Sequence, residues 1–356
     1  MYKEINEQSE VLLEIVEKGT KNIEKIANKI ASQNISTVAF IARGTSDNAA
    51  LYGSYMAQVY LGLPIVFLNP SVFTFYKSEV NLKNVLLLAI SQSGEGPDII
   101  EVVKRAKHLG ALSVAVTNNT DSTLARVADE VLPCFAGEEK SVAATKTYTS
   151  SLFNILLLFA YIKKDSDLIE KASRYPVHLS SLIPRLEASL KPIVVRYHFA
   201  EFLTVLGRGL NLATVHETAL KLKETCYLQV ASYSTADFLH GPIASIDKGD
   251  PVIVMAQSSP VKKQIMEVAR ILKEEKEADV LLFSGESFTE STGDDEKSEK
   301  NKFATLHVNV DEGGYPEVFA PISYAVAGQL FACYLSVERG LNPDHPRGLK
   351  KITRTL

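Results

Sequence analysis

Cysteine is scarce in this chain: its three residues, Cys134, Cys226 and Cys333, stand among 356. They are far apart, odd in number and surrounded by apolar residues, which excludes a disulfide framework and the paired spacing of a zinc site. This pattern is typical of reduced core residues in a cytoplasmic protein. We therefore expect a cytoplasmic location and neither a metal ion nor another cofactor.

An excess of positive charge is also missing, since 38 Lys and Arg face 42 Asp and Glu and the net charge is −4. This balance argues against nucleic acid as a partner, and no basic cluster marks a membrane surface. The N-terminal residues lack the apolar stretch of a signal peptide. The most apolar run, 152–162, is too short to span a bilayer and predicts a buried helix. A small anion in a local pocket stays compatible with this composition.

Short apolar, β-branched runs recur along the chain, each followed by a Gly/Ser turn and then by helical periodicity. This order is the signature of βαβ units on a parallel sheet. The predicted strands are 37–41, 85–90, 112–116, 130–133, 202–206, 252–256, 280–283 and 306–310.

The chain also repeats its own turns. Ile41-Ala42-Arg43-Gly44 matches Leu206-Gly207-Arg208-Gly209, and Ser91-Gln92-Ser93 matches Ala256-Gln257-Ser258 at the same shift. Each match falls at the end of a predicted strand, so two similar halves are the economical explanation. The sequence therefore predicts an α/β protein with two tandem, doubly wound parallel-sheet subdomains and flanking helices.

Five segments follow from this organisation. The connection between the halves is polar and helical, and its prolines predict breaks; the stretch 285–301 has almost no apolar residues and predicts a mobile surface loop. The predicted segments are an amphipathic N-terminal helix (1–34), a first, phosphate-binding subdomain (35–165), a helical connection (166–195), a second subdomain (196–340) and a tail that enters the active site (341–356).

Three hydroxyl-rich turns in the first half predict an anion site. Gly44-Thr45-Ser46 follows one strand, 91–97 follows another and ends in a proline suited to a first helical position, and 141–146 opens a third helix. Such turns present hydroxyls and backbone N–H groups at the carboxyl edge of a parallel sheet, which holds phosphate without net positive charge. The same residues also serve as ordinary helix caps. Three of them in one half favour a shared site.

The second half lacks these turns but contains a charged, helix-like run from His216 to Pro242. Glu217, Lys221 and Glu224 share one helical face beside apolar residues, where a carboxylate can carry protons. An amphipathic surface helix with ion pairs is the plainer alternative. His216 points off this face. The run ends at His240, just before Gly-Pro, where a histidine can also simply end a helix.

The motifs GTS, SQSGE, SVAATK, ALKLKE, FLHGP and HPRGLKKITRTL together resemble the double sugar isomerase (SIS) domain family, whose subdomains are flavodoxin-like. The resemblance runs from about residue 35 to the C-terminus. The pattern is most similar to the isomerase portion of glucosamine-6-phosphate synthase and to SIS-type glucosamine-6-phosphate deaminases.

The resemblance implies a hexose 6-phosphate as the small-molecule partner, with neither nucleic acid nor membrane. It implies that Glu224 is the acid/base residue, that His240 opens the sugar ring from the neighbouring subunit of a homodimer, and that Lys351 forms a Schiff base. A solvated basic tail is the plainer explanation of Lys351. The residues that the resemblance assigns to substrate and phosphate are Gly44, Thr45, Ser46, Ser91, Gln92, Ser93, Gly96, Val142, Ala144, Glu217 and Lys221.

Two departures bear on the reaction. First, the synthase has hydroxyls where this chain has Gly96 and Ala144. Second, we expect no glutaminase domain ahead of residue 35, so glutamine is not the expected ammonia donor. The SVAATK turn and the KITRT ending are closer to the deaminases. We therefore predict deamination of glucosamine 6-phosphate to fructose 6-phosphate and ammonia.

Several alternatives share the same base and phosphate turns. They are a glutaminase-less, synthase-like isomerase running the reaction in reverse with ammonia, a ketose-aldose isomerase and a fructosamine-6-phosphate deglycase. A sugar-phosphate-sensing regulator is the non-enzymatic alternative. Against the regulator, the first 35 residues predict one helix, not a helix-turn-helix with a basic recognition face.

Overall fold

The structure, a computed structural model, describes residues 1–285 and 303–351. Two compact units make up the chain. The first unit contains Asn6–Val177 and the C-terminal residues from Lys350 onward, and the second unit contains Met1–Ile5 and His178–Leu349. The predicted mobile loop, 285–301, lies outside the described residues except for Gly285.

The first unit is built on a parallel sheet of five strands in the order β2-β1-β3-β4-β5. Strands β3 and β4 are buried along their whole length, as expected for central strands covered on both faces. The strands are β1 (Thr37–Ile41), β2 (Ile65–Phe67), β3 (Val85–Ile90), β4 (Leu112–Thr117) and β5 (Glu130–Pro133).

Helices surround this sheet. The N-terminal segment is helical almost continuously to residue 31, as predicted, and it includes a wider π-helical turn at Ile15–Gly19. The α-helices are α1 (Tyr2–Asn6, shared with the second unit), α2 (Gln8–Glu14), α3 (Thr20–Ala31), α4 (Thr45–Met56), α5 (Pro70–Thr74), α6 (Pro97–His108), α7 (Thr123–Val127), α8 (Lys146–Lys163) and α9 (Ser166–Val194, which runs on into the second unit).

The second unit repeats this architecture with the sheet order β10-β9-β8-β6-β7. Its strands are β6 (Phe202–Gly207), β7 (Gln229–Ser234), β8 (Pro251–Ala256), β9 (Asp279–Ser284) and β10 (Leu306–Asn309). Its helices are α10 (Leu212–Cys226), α11 (Thr235–Leu239), α12 (Lys262–Arg270) and α13 (Ala320–Glu338).

The predicted duplication and fold class are confirmed. Read from its other edge, the second sheet has the order β7-β6-β8-β9-β10. This is the order of the first sheet with β6 to β10 in place of β1 to β5, and both match the flavodoxin-like doubly wound order. The pairing register agrees as well, because Ala39 faces Leu87 in the first sheet and Thr204 faces Val252 in the second. Positions matched by the repeat therefore occupy matching places in the two units.

Two strands and one helix differ from the predictions. The edge strands β2 and β7 were not predicted, since β2 has three partly exposed residues and β7 carries polar ones. The predicted breaks in the connection are wrong, because α9 continues through Pro176, Pro184 and Pro192. A buried apolar face, including Leu179 and Leu186, offsets the hydrogen bonds that the prolines remove.

The helix-like run from His216 to Pro242 is not one helix. Helix α10 ends at Cys226, and Tyr227 takes the left-handed conformation with a φ of 58°. The chain then forms strand β7 and the short helix α11, which ends just before His240. The charged face thus belongs to α10 alone, and His240 lies on a separate element.

The most apolar segments are core helices. The predicted buried helix at 152–162 is the middle and end of α8. Among the described residues, the segment Glu317–Glu338, which contains α13, has the length and hydropathy of a membrane span, but 89% of its apolar window is buried inside the protein. A core helix passes the same test of length and composition.

The three cysteines are free and buried, as predicted. Burial raises the pKa of the Cys134 and Cys333 thiols to about 11 and that of Cys226 to about 12. Since the thiolate is the reactive form, we expect a disulfide-exchange reagent at pH 7.5 to modify none of the three rapidly in the native protein. In denaturant all three should react at once. Fast modification of any one without denaturant would contradict this prediction.

Candidate active site

The first two hydroxyl-rich turns of the first unit lie side by side. Strands β1 and β3 are neighbours in the sheet, and the order reverses between them, which is where ligands bind in doubly wound folds. Gly44 caps α4 with a φ of 57° and a ψ of −132°, a conformation that side chains disfavour. Thr45 and Ser46 follow as the first residues of α4 and are half-buried.

The turn after β3 is closed by its own hydroxyls. The Ser91 Oγ accepts the N–H of Gly94 at 3.2 Å, and the Ser93 Oγ accepts the N–H of Glu95 at 3.3 Å. Both hydroxyls serve as acceptors in these contacts, so their hydrogens are the groups to donate to an anion. Gly94 has a φ of 64°, and a side chain there would collide with Ser122.

Two side chains fix this turn to its surroundings. The Arg43 Nε donates to the buried Asp98 carboxylate at 2.9 Å, which links the turn after β1 to the first turn of α6. The Glu95 carboxylate accepts the N–H and the hydroxyl of Thr123, each at 2.9 Å. Glu95 thus holds the loop in shape. Gln92 and Gly96 are half-buried in the same turn.

The third turn is organised around Glu139, which the sequence did not single out. Its buried carboxylate accepts the N–H groups of Thr145 and Thr147 at 3.0 and 3.1 Å, ahead of and inside the first turn of α8. The Lys351 Nζ donates to the same carboxylate at 2.7 Å and to the Ser141 carbonyl at 2.6 Å. The tail lysine therefore lies at the turn that contains Val142 and Ala144.

Glu139 is charged in this setting. Burial alone would raise the pKa of its carboxyl, but the Lys351 ammonium and the two backbone N–H groups outweigh burial and hold the pKa below its usual value. A Gly-Glu-Glu turn just before a helix start was the available signal, because a carboxylate there commonly binds free N–H groups. Its pairing with a tail residue had no signal in sequence spacing.

The second unit holds the charged face of α10, whose three members share one side of the helix as predicted, with Lys221 in contact with both carboxylates. The Lys221 Nζ lies 2.6 Å from the Glu224 carboxylate and 3.3 Å from that of Glu217. The side chains of Lys221 and Glu217 are 0% and 1% exposed, whereas that of Glu224 is 23% exposed. Glu224 is thus the member of the trio that an external molecule can reach.

Lys221 stays protonated in the interior. Burial alone would lower the pKa of its ammonium, but the carboxylates of Glu217 and Glu224 more than offset this and raise the pKa above the usual value. A buried ammonium that binds two carboxylates fixes their positions. The trio therefore presents one carboxylate in a defined place.

The two histidines of the run differ in their surroundings. His216 lies half-buried beside β7, with its Nδ1 2.9 Å from the Ser232 Oγ, and burial lowers its pKa. His240 is exposed directly after α11 and precedes Gly241, whose φ of 142° suits glycine alone. His216 thus contacts the sheet, and His240 is open to a second molecule.

The start of the tail is held by the end of α10. The Arg347 guanidinium lies 4.1 Å from the centre of the Tyr227 ring, and the Arg347 N–H donates to the Tyr227 hydroxyl at 2.8 Å. This stacking fixes the backbone four residues before Lys351. The sequence did not predict this contact.

Comparison with known proteins identifies the family. The SIS domain model matches residues 29–161 and 200–338, one match for each half. A glutamine–fructose-6-phosphate aminotransferase (isomerizing) of Pyrococcus horikoshii is 32% identical over 99% of this chain and 57% of its own length. The chain thus spans a little over half the length of that relative.

Two solved structures share the fold over their whole length. A candidate phosphosugar isomerase of Silicibacter pomeroyi DSS-3 has a TM-score of 0.84 and 33% identity, covering 96% of this chain and 98% of its own. A glucosamine-6-phosphate deaminase of Thermotoga maritima has a TM-score of 0.76 and 21% identity, covering 99% of each chain. The chain belongs to the SIS domain family.

Proposed function

We propose that the protein is a phosphosugar aminohydrolase that converts glucosamine 6-phosphate and water into fructose 6-phosphate and ammonia. The observation that carries this proposal is the trio on α10, in which Lys221 holds the partly exposed Glu224 carboxylate at 2.6 Å. A binding protein needs no such positioned base, whereas an aldose-ketose conversion does. The family names of the relatives, which refer to sugar phosphates, support the same class of substrate.

The phosphate is assigned to the first unit. The turns at Gly44–Ser46 and Ser91–Gly96 supply hydroxyls, backbone N–H groups and two helix N-termini at the switch point of the sheet. Phosphate held there needs no lysine or arginine at the centre. The third turn, with Val142 and Ala144, adds backbone groups in place of the side-chain hydroxyl of the synthase.

The proton transfers are assigned to His240 and Glu224. His240, donated by the partner copy in a homodimer, moves the proton that opens the pyranose to the aldehyde. Glu224 then takes the proton from C2 and returns it to C1, while the aldehyde oxygen gains the proton that the C2 amine loses. The amine thereby becomes an imine, and C1 becomes a hydroxymethyl group. Water adds to the imine carbon, and ammonia leaves with fructose 6-phosphate.

Lys351 offers a second way to resolve the imine. Its amine attacks C2 and displaces ammonia, and water then hydrolyses the new Schiff base. The lysine must first lose its proton and leave the Glu139 carboxylate, which lies 2.7 Å from its Nζ and stabilises the charged form. A cytoplasmic location and the limits 35–165 and 196–340 for the two functional subdomains are part of the same proposal.

An ammonia-release assay tests the reaction. We expect the protein to release ammonia and fructose 6-phosphate in equal amounts from glucosamine 6-phosphate, and far more slowly from unphosphorylated glucosamine, because binding of the distant phosphate contributes to catalysis. The galacto epimer of glucosamine 6-phosphate and fructoselysine 6-phosphate are assayed separately as alternative substrates. Release of lysine and a hexose 6-phosphate from fructoselysine 6-phosphate, with no ammonia from the amino sugars, would indicate a deglycase. No ammonia from glucosamine 6-phosphate or its galacto epimer would refute the deaminase.

A further inference from the structure

The second unit has its own anion in the place where the first unit has a phosphate turn. The carboxylate of Glu312 accepts the backbone N–H of Ser258, at 3.0 Å to Oε1 and 3.3 Å to Oε2. The buried Tyr324 donates its hydroxyl to Glu312 Oε1 at 3.0 Å. Glu312 thus binds the turn after β8 together with a side chain of α13.

The turn after β8 corresponds to the phosphate turn after β3. Ala39 faces Leu87 across β1 and β3, and Thr204 faces Val252 across β6 and β8. Counted from Leu87 and Val252, the dipeptides Gln92-Ser93 and Gln257-Ser258 fall at the same position. The N–H group that binds Glu312 is therefore the counterpart of the Ser93 N–H.

The surroundings of Glu312 are shaped for this carboxylate. Gly285, at the end of β9, leaves room for it, since a Cβ at that position would lie 2.7 Å from the Glu312 Cδ. Glu312 itself belongs to the loop between β10 and α13, which corresponds to the loop in the first unit that leads from β5 to α8. The carboxylate thus comes from the counterpart of the third phosphate turn.

A second carboxylate stands close by. The Glu317 Oε1 accepts the Gln257 side-chain N–H at 3.2 Å. Burial raises the pKa of Glu317, the Gln257 contact lowers it, and the nearby Glu312 carboxylate raises it further. Two acidic groups therefore face the turn whose counterpart in the first unit is assigned to phosphate.

We propose that Glu312 is an internal substitute for phosphate, and that it closes the second of two ancestral anion sites so that each chain binds one phosphate group. Removal of the carboxylate opens a site for a phosphate dianion at Ser258. The proposal rests on the proposed function in one respect, namely that the turns of the first unit bind phosphate.

The test compares three variants that differ only at position 312. In the E317Q background, which removes the neighbouring repulsion, equilibrium dialysis with radiolabelled inorganic phosphate is expected to count one site per chain when Glu312 is present and two in E312A/E317Q. The E312Q/E317Q variant keeps an acceptor oxygen for Ser258 and is expected to retain one site. One site in E312A/E317Q, with one in the wild type, overturns the proposal.

The outcomes separate the two proposals. If the wild type binds no phosphate and E312A/E317Q binds one, the phosphate turns of the first unit are wrongly assigned, and the role of Glu312 stands. If E312A/E317Q is unfolded on its own, phosphate is expected to restore its native circular dichroism, because a ligand that binds only the native state stabilises it. Failure of phosphate to do so also overturns the proposal.

Discussion

Replacement of Glu224 by glutamine is expected to lower kcat by about a thousandfold, within the range of general acid–base catalysis. Glutamine keeps the size of the side chain but cannot carry the proton between C2 and C1. In this variant the Lys221 Nζ loses the Glu224 carboxylate, 2.6 Å away, and keeps the Glu217 carboxylate at 3.3 Å, so the helix remains intact. Affinity for fructose 6-phosphate, measured by calorimetry, should change less than about threefold, since the turns that we propose to bind phosphate are untouched.

The exposed Glu267 provides the matched control. It lies on α12 of the same unit, and its partner is Arg270 at the surface. The same Glu→Gln change there removes the same charge, and surface pairs contribute little to stability, so kcat should be unchanged. If E224Q retains more than about a tenth of the wild-type kcat, Glu224 is not the proton carrier.

Loss of the tail lysine is expected to have the second largest effect. Truncation after Pro346 removes Lys351, and we expect activity to fall below about a thousandth of wild type if Schiff-base formation is required, while circular dichroism stays native. Lys351→Met removes only the amine and should act in the same direction. Borohydride treatment with substrate should give a covalent adduct in the wild type and none in K351M, as seen by intact-protein mass.

The neighbouring Lys350 is the control for this change. It is exposed, so K350M alters the net charge of the tail equally but leaves the Glu139 contact in place. Full activity after truncation would eliminate any role of Lys351. An adduct that persists in K351M would assign the Schiff base to another lysine.

The K351M variant is also expected to change how stability depends on pH. Lys351 holds the pKa of the Glu139 carboxyl below its unfolded value, so the pair stabilises the native state above the unfolded pKa. That contribution is lost as the pH falls through the lower, native pKa. The difference in melting temperature between wild type and K351M should thus be full at neutral pH and shrink in acid.

The architecture was accessible from the sequence because its signals are local. Apolar runs such as Val85–Ile90 are buried on both faces, and their ends agree with the predicted ones. The edge strand β2 was not predicted because its three partly exposed residues form no hydrophobic pattern. Strand β7 was not predicted because its polar residues resemble those of the charged run around it. Proline was overweighted in α9, where burial of one face decides the outcome.

Contacts between distant parts of the chain could not be predicted from the sequence. The neighbours on α10 were predicted because helical spacing places Glu217, Lys221 and Glu224 together. Glu139 with Lys351, Tyr227 with Arg347 and Ser258 with Glu312 are joined only by the tertiary fold. Each involves a residue whose own segment gives no reason to expect a partner.

The buried trio on α10 also limits how this protein can evolve. Any single change among Glu217, Lys221 and Glu224 alters the charge balance around a side chain that is 0% exposed. Removal of one partner from a buried ion pair destabilises a protein far more than replacement of both partners by well-packed apolar residues. Glu217 and Lys221 form the fully buried pair of the trio. Descendants of this chain should therefore inherit these two residues together or exchange them together, and intermediates that keep only one of them should be rare.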